Sequence, residues 1–191
     1  MHDRAYKVKD GIVYDSETAD VIHHHDGLLG HRTILAITPE GHYFVASFGG
    51  MILGWVVFPY SRLMAVCWAL ERKAPDEVLT RLGVELIPEP DVAPDKPYEE
   101  LRVCETLCAK KKLFQNDFIY TSEFLCRNPD GRMFVFDGMI LLGRFVLEER
   151  RPMNRREALL YGIKHMATWY DLEQLGYART DEEREGSKSA E

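Results

Sequence analysis

Three histidines and an aspartate in a row, His23-His24-His25-Asp26, with His31 and His42 close behind, are the residue types from which a zinc centre or a His-based general base is built. On a strand, alternation places His23 and His25 on one face. A metal centre also needs three or four converging ligands, each oriented by its own hydrogen-bond partner. The corresponding region of the chain's second half has Lys110-Lys111-Lys112 and no ligand types. The histidines therefore read first as a solvated hairpin edge, with a metal-dependent or His-based activity at His23–His25 as the alternative.

The other candidates are thinner. Cys104 and Cys108 lack the second pair that a zinc knuckle requires, and Cys67 and Cys126 align between the halves with Leu160 and Ala36, which are core-type positions. No motif ties a histidine or aspartate to any cysteine, as a nucleophile would need. GGMILG (49–54) and GMILLG (138–143) have glycines but neither the helix start nor the Lys-Ser/Thr of a phosphate loop. No catalytic residue, metal or cofactor is assigned. Two basic clusters remain, Lys110–Lys112 and Arg150, Arg151, Arg155 and Arg156. The arginines could contact phosphates, which makes nucleic-acid binding a third reading. Few aromatics flank them, however, and the net charge of −7 repels a nucleic-acid backbone at long range. The same arginines suit an acidic protein face.

The elements that position these residues are written twice. TPEGHYFVASFGGMILG (38–54) recurs as NPDGRMFVFDGMILLG (128–143), and SRLMAVCWALERKAPDEVLTRLGV (61–84) lines up with NRREALLYGIKHMATWYDLEQLGY (154–177). The spacing predicts an α+β protein of two tandem units, 6–85 and 99–178, each a small antiparallel meander closed by two short helices. Within each, an extended segment (Lys9 to Val21; Leu101 to Lys110) leads to a hairpin turning at Pro-Glu-Gly (39–41) or Pro-Asp-Gly (129–131), and a further strand follows the glycines (Met51–Phe58; Met139–Glu148). Ser61 and Asn154 are expected helix N-caps, the latter with Glu157 at the capping-box position, and Gly83 and Gly176 end the second helices. The proline-rich segment 86–98 reads as a linker and the acidic 179–191 as a disordered tail.

Residues 43–60 contain no charge over eighteen positions, a length at which a membrane helix becomes a candidate. Three glycines, a proline and a run of aromatic and β-branched residues instead predict two strands joined at glycines, and no membrane association. Composition is globular, at 46% hydrophobic and 29% charged residues, and the N-terminus has no signal-like apolar stretch. A cytoplasmic protein with reduced thiols is expected. Where the copies diverge, GWVVFPY (54–60) faces LGRFVLEERRP (142–152), an aromatic segment against a charged one. Trp55, Phe58 and Tyr60 are residue types that anchor protein interfaces, and with Arg150, Arg151, Arg155 and Arg156 they form the expected partner-binding set.

The first unit's YDSETA, TPEGHYFV and glycine pair, with Ala65 and Trp68 in a short helix before an acidic one, resemble small accessory proteins of bacterial phages and plasmids. The second unit matches more loosely, since Tyr14-Asp15 become Arg102-Val103. The resemblance covers about 70 residues and carries no catalytic residues. It implies a mobile-element origin and a host-directed binding protein, including inhibitors of bacterial defence such as anti-CRISPR proteins.

Overall fold

In the computed structural model the chain divides into two compact units, Met1–Leu82 and Gly83–Glu191. The structure describes residues 4–27, 31–50, 54–93, 95–113, 119–141 and 144–188, with the backbone alone described at 110–113, 119–121, 139–141, 144–148 and 186–188. The architecture is α+β.

The first unit opens with a hairpin, β1 (Tyr6–Lys9) and β2 (Ile12–Asp15), followed by β3 (Asp20–Asp26), β4 (Arg32–Ile37), β5 (Tyr43–Phe48) and β6 (Trp55–Tyr60). Strands β3 to β6 form an antiparallel sheet in chain order. Helices α1 (Arg62–Glu71) and α2 (Asp76–Arg81) close the unit. In the second unit a 3-10 turn at Leu101–Val103 precedes β7 (Glu105–Leu113), β8 (Ile119–Arg127), β9 (Met133–Leu141) and β10 (Arg144–Met153), again antiparallel in chain order. Helices α3 (Arg155–Lys164), α4 (Trp169–Gln174) and α5 (Asp181–Lys188) follow.

The uncharged run folds as β5 and β6, paired from Tyr43 with Tyr60 to Phe48 with Trp55. Gly49 and Gly54 close it, the Gly49 amide donating to the Gly54 carbonyl at 2.8 Å. No helix among the described residues is long and apolar enough to cross a membrane.

Three boundaries differ from the expected ones. Lys9 to Val21 is not one extended segment, because Asp10 and Gly11 both take positive φ (51° and 79°) and fold β1 onto β2. Each sheet therefore has four strands, with β3 and β7 added at an edge. In the second unit the strand does not restart after Gly138, which sits inside β9 opposite Ser122 and Glu148. The first unit's β6 starts at Trp55, and Met51 to Leu53 lie outside the described residues. The third difference is the tail, which is helical over Asp181–Lys188. Thr180 and Glu183 cap each other reciprocally there, and the Tyr177 hydroxyl donates to Glu183 at 2.6 Å.

Caps and turns behave as their residue types require. Ser61 Oγ accepts from Met64 N, and Asn154 and Glu157 form a capping box. At the end of α4, Gly176 has φ +95°, and a Cβ there would meet the Glu85 carbonyl oxygen at 2.1 Å. The absent side chain lets the Glu85 amide donate to the Gly176 carbonyl, beside an antiparallel bridge between Val84 and Tyr177.

Both sheets bury one face under helices and the other under a different cover. In the first unit Tyr14 and Ala5 close over Ile34, Ala36, Phe44, Ala46 and Val57, with Tyr14 edge-on to Phe44 at 5.7 Å. In the second, Tyr98, Leu101 and Cys104 close over Cys126, Phe134 and Phe136. The segment expected as a free linker is thus tied down. Arg132 donates to the carbonyls of Lys96 and Pro97, and the Glu99 amide donates to Asn128 Oδ1.

Candidate functional site

Strand alternation sorts the aromatic segment into two sets. Val56, Phe58 and Tyr60 share the sheet face that carries α1, while Trp55, Val57 and Pro59 share the opposite face. Phe58 is 47% exposed and Val56 40%, and Met64, in the first turn of α1 directly after β6, is 50% exposed. The N-caps Ser61 and Asn154 follow β6 and β10 at once, and counting back from them aligns the two strands. Val56, Phe58, Tyr60 and Met64 then correspond to Glu149, Arg151, Met153 and Glu157. An apolar stripe in one unit stands where the other has a mainly charged one.

Trp55 does not join Phe58 and Tyr60. It faces the other way, packed at a tilt against Phe48 with ring centroids 5.5 Å apart. There it walls a cleft of about 240 Å³ lined also by Ser16, Val21, His24, Asp26, Arg32, Thr33 and Ile34. A larger cleft, about 440 Å³, lies in the second unit beside Glu85–Pro88, Tyr177 and Arg179. There the Tyr177 hydroxyl donates to Glu183 and the Arg179 guanidinium stacks over Trp169.

The arginine set is dispersed by the fold. Arg150 takes the place in the second sheet that Val57 has in the first, and its guanidinium donates to the carbonyls of Tyr98 and Glu99 at 3.1 and 2.9 Å. Arg155 is 7% exposed, its Nη2 donating to the Gly131 carbonyl at 2.6 Å and its backbone N–H to Glu89. These two hold the second unit together and present little charge outward, because their positions fall on the covered sheet face and at a buried helix start. Arg151 is exposed and Arg156 half-buried. The side chains of Lys110–Lys112 lie outside what is described.

The histidines are likewise packed. His23 and His25 approach Trp68 edge-on, with centroids at 6.1 and 6.3 Å. Burial pushes the His23 imidazole below its ordinary value, with His25 and His24 adding repulsion. That is a half-buried edge under α1 at His23 and His25, and the expected solvated edge holds for His24, His31 and His42. Among the described residues no group of three or more His, Cys, Asp or Glu is placed to hold a metal ion. Burial pushes the Cys108 and Cys126 thiols up to about 11, the opposite of what an activated nucleophile needs.

The YDSETA motif builds structure. The Asp15 carboxylate, 4% exposed, takes the Arg4 guanidinium and the Glu17 amide, which holds it below the usual carboxylate range. Ser16 Oγ accepts from the Ala5 amide at 2.9 Å and anchors the covering hairpin. Compared with family models, curated proteins and solved structures, the chain matches none of them.

Proposed function

We propose that the chain is a non-enzymatic binding protein that engages another protein through its first unit. The observation that carries this is the stripe of Val56, Phe58, Tyr60 and Met64, three of its members at least 40% exposed, at positions that align, counted from the helix N-caps, with Glu149, Arg151, Met153 and Glu157 of the second unit. Exposed aromatic and aliphatic side chains at an open sheet edge cost solubility in a monomer and supply the desolvated centre of an interface. Arg151 and Arg156 remain as a subsidiary polar contact.

The resemblance to phage and plasmid accessory proteins makes the partner a bacterial host protein, with inhibition of a defence system, as anti-CRISPR proteins perform, the favoured role in the cytoplasm. No observation favours the His23–His25 chemistry or the arginine-mediated nucleic-acid reading over this one. The test is affinity capture from bacterial lysate with the wild type and with Val56→Glu/Phe58→Arg, which writes the second unit's residues into the first. Capture of a discrete protein or complex by the wild type alone, at equal melting temperature, is the expected result. Equal capture by both, or capture of nucleic acid that salt releases, would overturn it.

A further inference from the structure

At the cleft beside Trp55 the first sheet carries smaller residues than the second. Ile34, which lines it, pairs with Ala46 across β4 and β5, and the equivalent pair across β8 and β9 is Phe124 with Phe136, whose rings are 6.1 Å apart. The β1–β2 hairpin packs on this face through Tyr14, and Ser16, just after β2, stands at the border of the cleft. The floor of the opening is Ile34 and Val21, with Trp55 as one wall.

At the opposite rim stand two formal charges of opposite sign. Asp26 and Arg32 are directly opposed across β3 and β4. Directly opposed residues have Cβ atoms about 5 Å apart, well within reach of a salt bridge. Among the described residues, however, neither side chain makes a hydrogen bond or ion pair. A carboxylate and a guanidinium are thus presented side by side with their bonding capacity free, above an apolar floor and next to an indole.

We propose that this cleft binds a free α-amino acid with a large apolar side chain. The ligand's ammonium meets Asp26, its carboxylate takes the Arg32 fork, and its side chain lies on Ile34 against Trp55. A single carbon bearing both charges fits a cross-strand acid and base that are neighbours, and each charge is then paired on leaving water. The volume, about 240 Å³, is below the roughly 300–1,000 Å³ of drug-sized pockets and suits a single residue. This site is independent of the protein-binding stripe, since Trp55 and Phe58 face opposite sides of the sheet.

The probe is L-phenylalanine, titrated into the full chain by calorimetry with saturation-transfer NMR. Saturable one-to-one binding is expected, weakened at least tenfold in Arg32→Gln and in Asp26→Asn, both exposed positions where the fold is retained. N-acetyl-L-phenylalanine amide, which has neither charge, should bind at least tenfold more weakly than the amino acid. Ile34→Phe, which writes the second unit's Phe124 into the cleft floor, should abolish binding by filling the cleft, and the two charge variants decide the matter if that protein fails to fold. No binding of L-phenylalanine at millimolar concentration, or binding that ignores both charge variants, would overturn the proposal.

Discussion

Two sheets of the same order, each with a bulge at the same place in its first strand (Val21/His23 and Thr106/Cys108), finish their surfaces differently. The first unit covers one sheet face with a hairpin held by Ser16 and by the buried Asp15 carboxylate, which pairs with the exposed Arg4, and leaves apolar residues at its β6 edge. The second covers the same face with residues 96–104, stapled by Arg132, Arg150 and Asn128, and puts charge at its β10 edge. Some buried positions are alike in the two units, Phe44 being the equivalent of Phe134 and Ala36 of Cys126, while Ala46 stands where the second unit has Phe136. The larger difference lies in what the edge and the cover are made of.

The largest expected effect tests the shared part. Phe44→Ala and Phe134→Ala each empty a fully buried site and should each cost about 3–5 kcal/mol in denaturant unfolding. A much smaller loss in one unit would show that its sheet is packed on other principles. Next is the cover that only the second unit has. Arg132 stacks over Tyr98 and donates to two segment carbonyls and to Asp130, so Arg132→Ala should cost about 1–3 kcal/mol. His42, its counterpart by turn position, should be replaceable by alanine within about 0.5 kcal/mol. Equal effects at the two positions would remove the staple from the account.

The staple also has a pH signature. The Arg132 guanidinium holds the Asp130 carboxyl well below the usual carboxylate range. A group whose pKa is depressed on folding stabilises the protein above its unfolded value, near 3.9 for aspartate, and that contribution is lost as pH falls below it. Acid unfolding should therefore begin at a lower pH in Asp130→Asn than its loss of stability at neutral pH alone would suggest, as followed by circular dichroism. A smaller effect is chemical. With their thiols raised to about 11 by burial, Cys108 and Cys126 should resist iodoacetamide at pH 8 in the folded chain, read by mass spectrometry. Rapid labelling of Cys126 would show that the cover over the second sheet opens readily.

Much of this was legible in the residues, and what was missed had signals of its own. The Pro-Glu-Gly and Pro-Asp-Gly turns, the Ser61 and Asn154 caps and the glycines at 83 and 176 are local chemistry, and local chemistry is written in sequence. The β1–β2 hairpin was also written, in the Asp10-Gly11 pair with positive φ at both residues. The last helix was announced by Thr180 and Glu183 at capping-box spacing, outweighed by a composition that suggests disorder. Trp55 parts company with Phe58 because side chains on a strand alternate, which grouping by residue type ignores. The roles of Arg150 and Arg155 were beyond reach, since their carbonyl partners at residues 98, 99 and 131 come from distant segments.

The most direct measurement sets the two edges against each other with a captured partner in hand. Phe58→Ala should weaken binding about thirtyfold, a loss of about 2 kcal/mol, while its counterpart Arg151→Ala changes it little. Both variants should melt within about 0.5 kcal/mol of the wild type, because each side chain is exposed. Unchanged affinity for Phe58→Ala, or a loss at Arg151 as large as that at Phe58, would contradict the assignment of the working surface to the first unit.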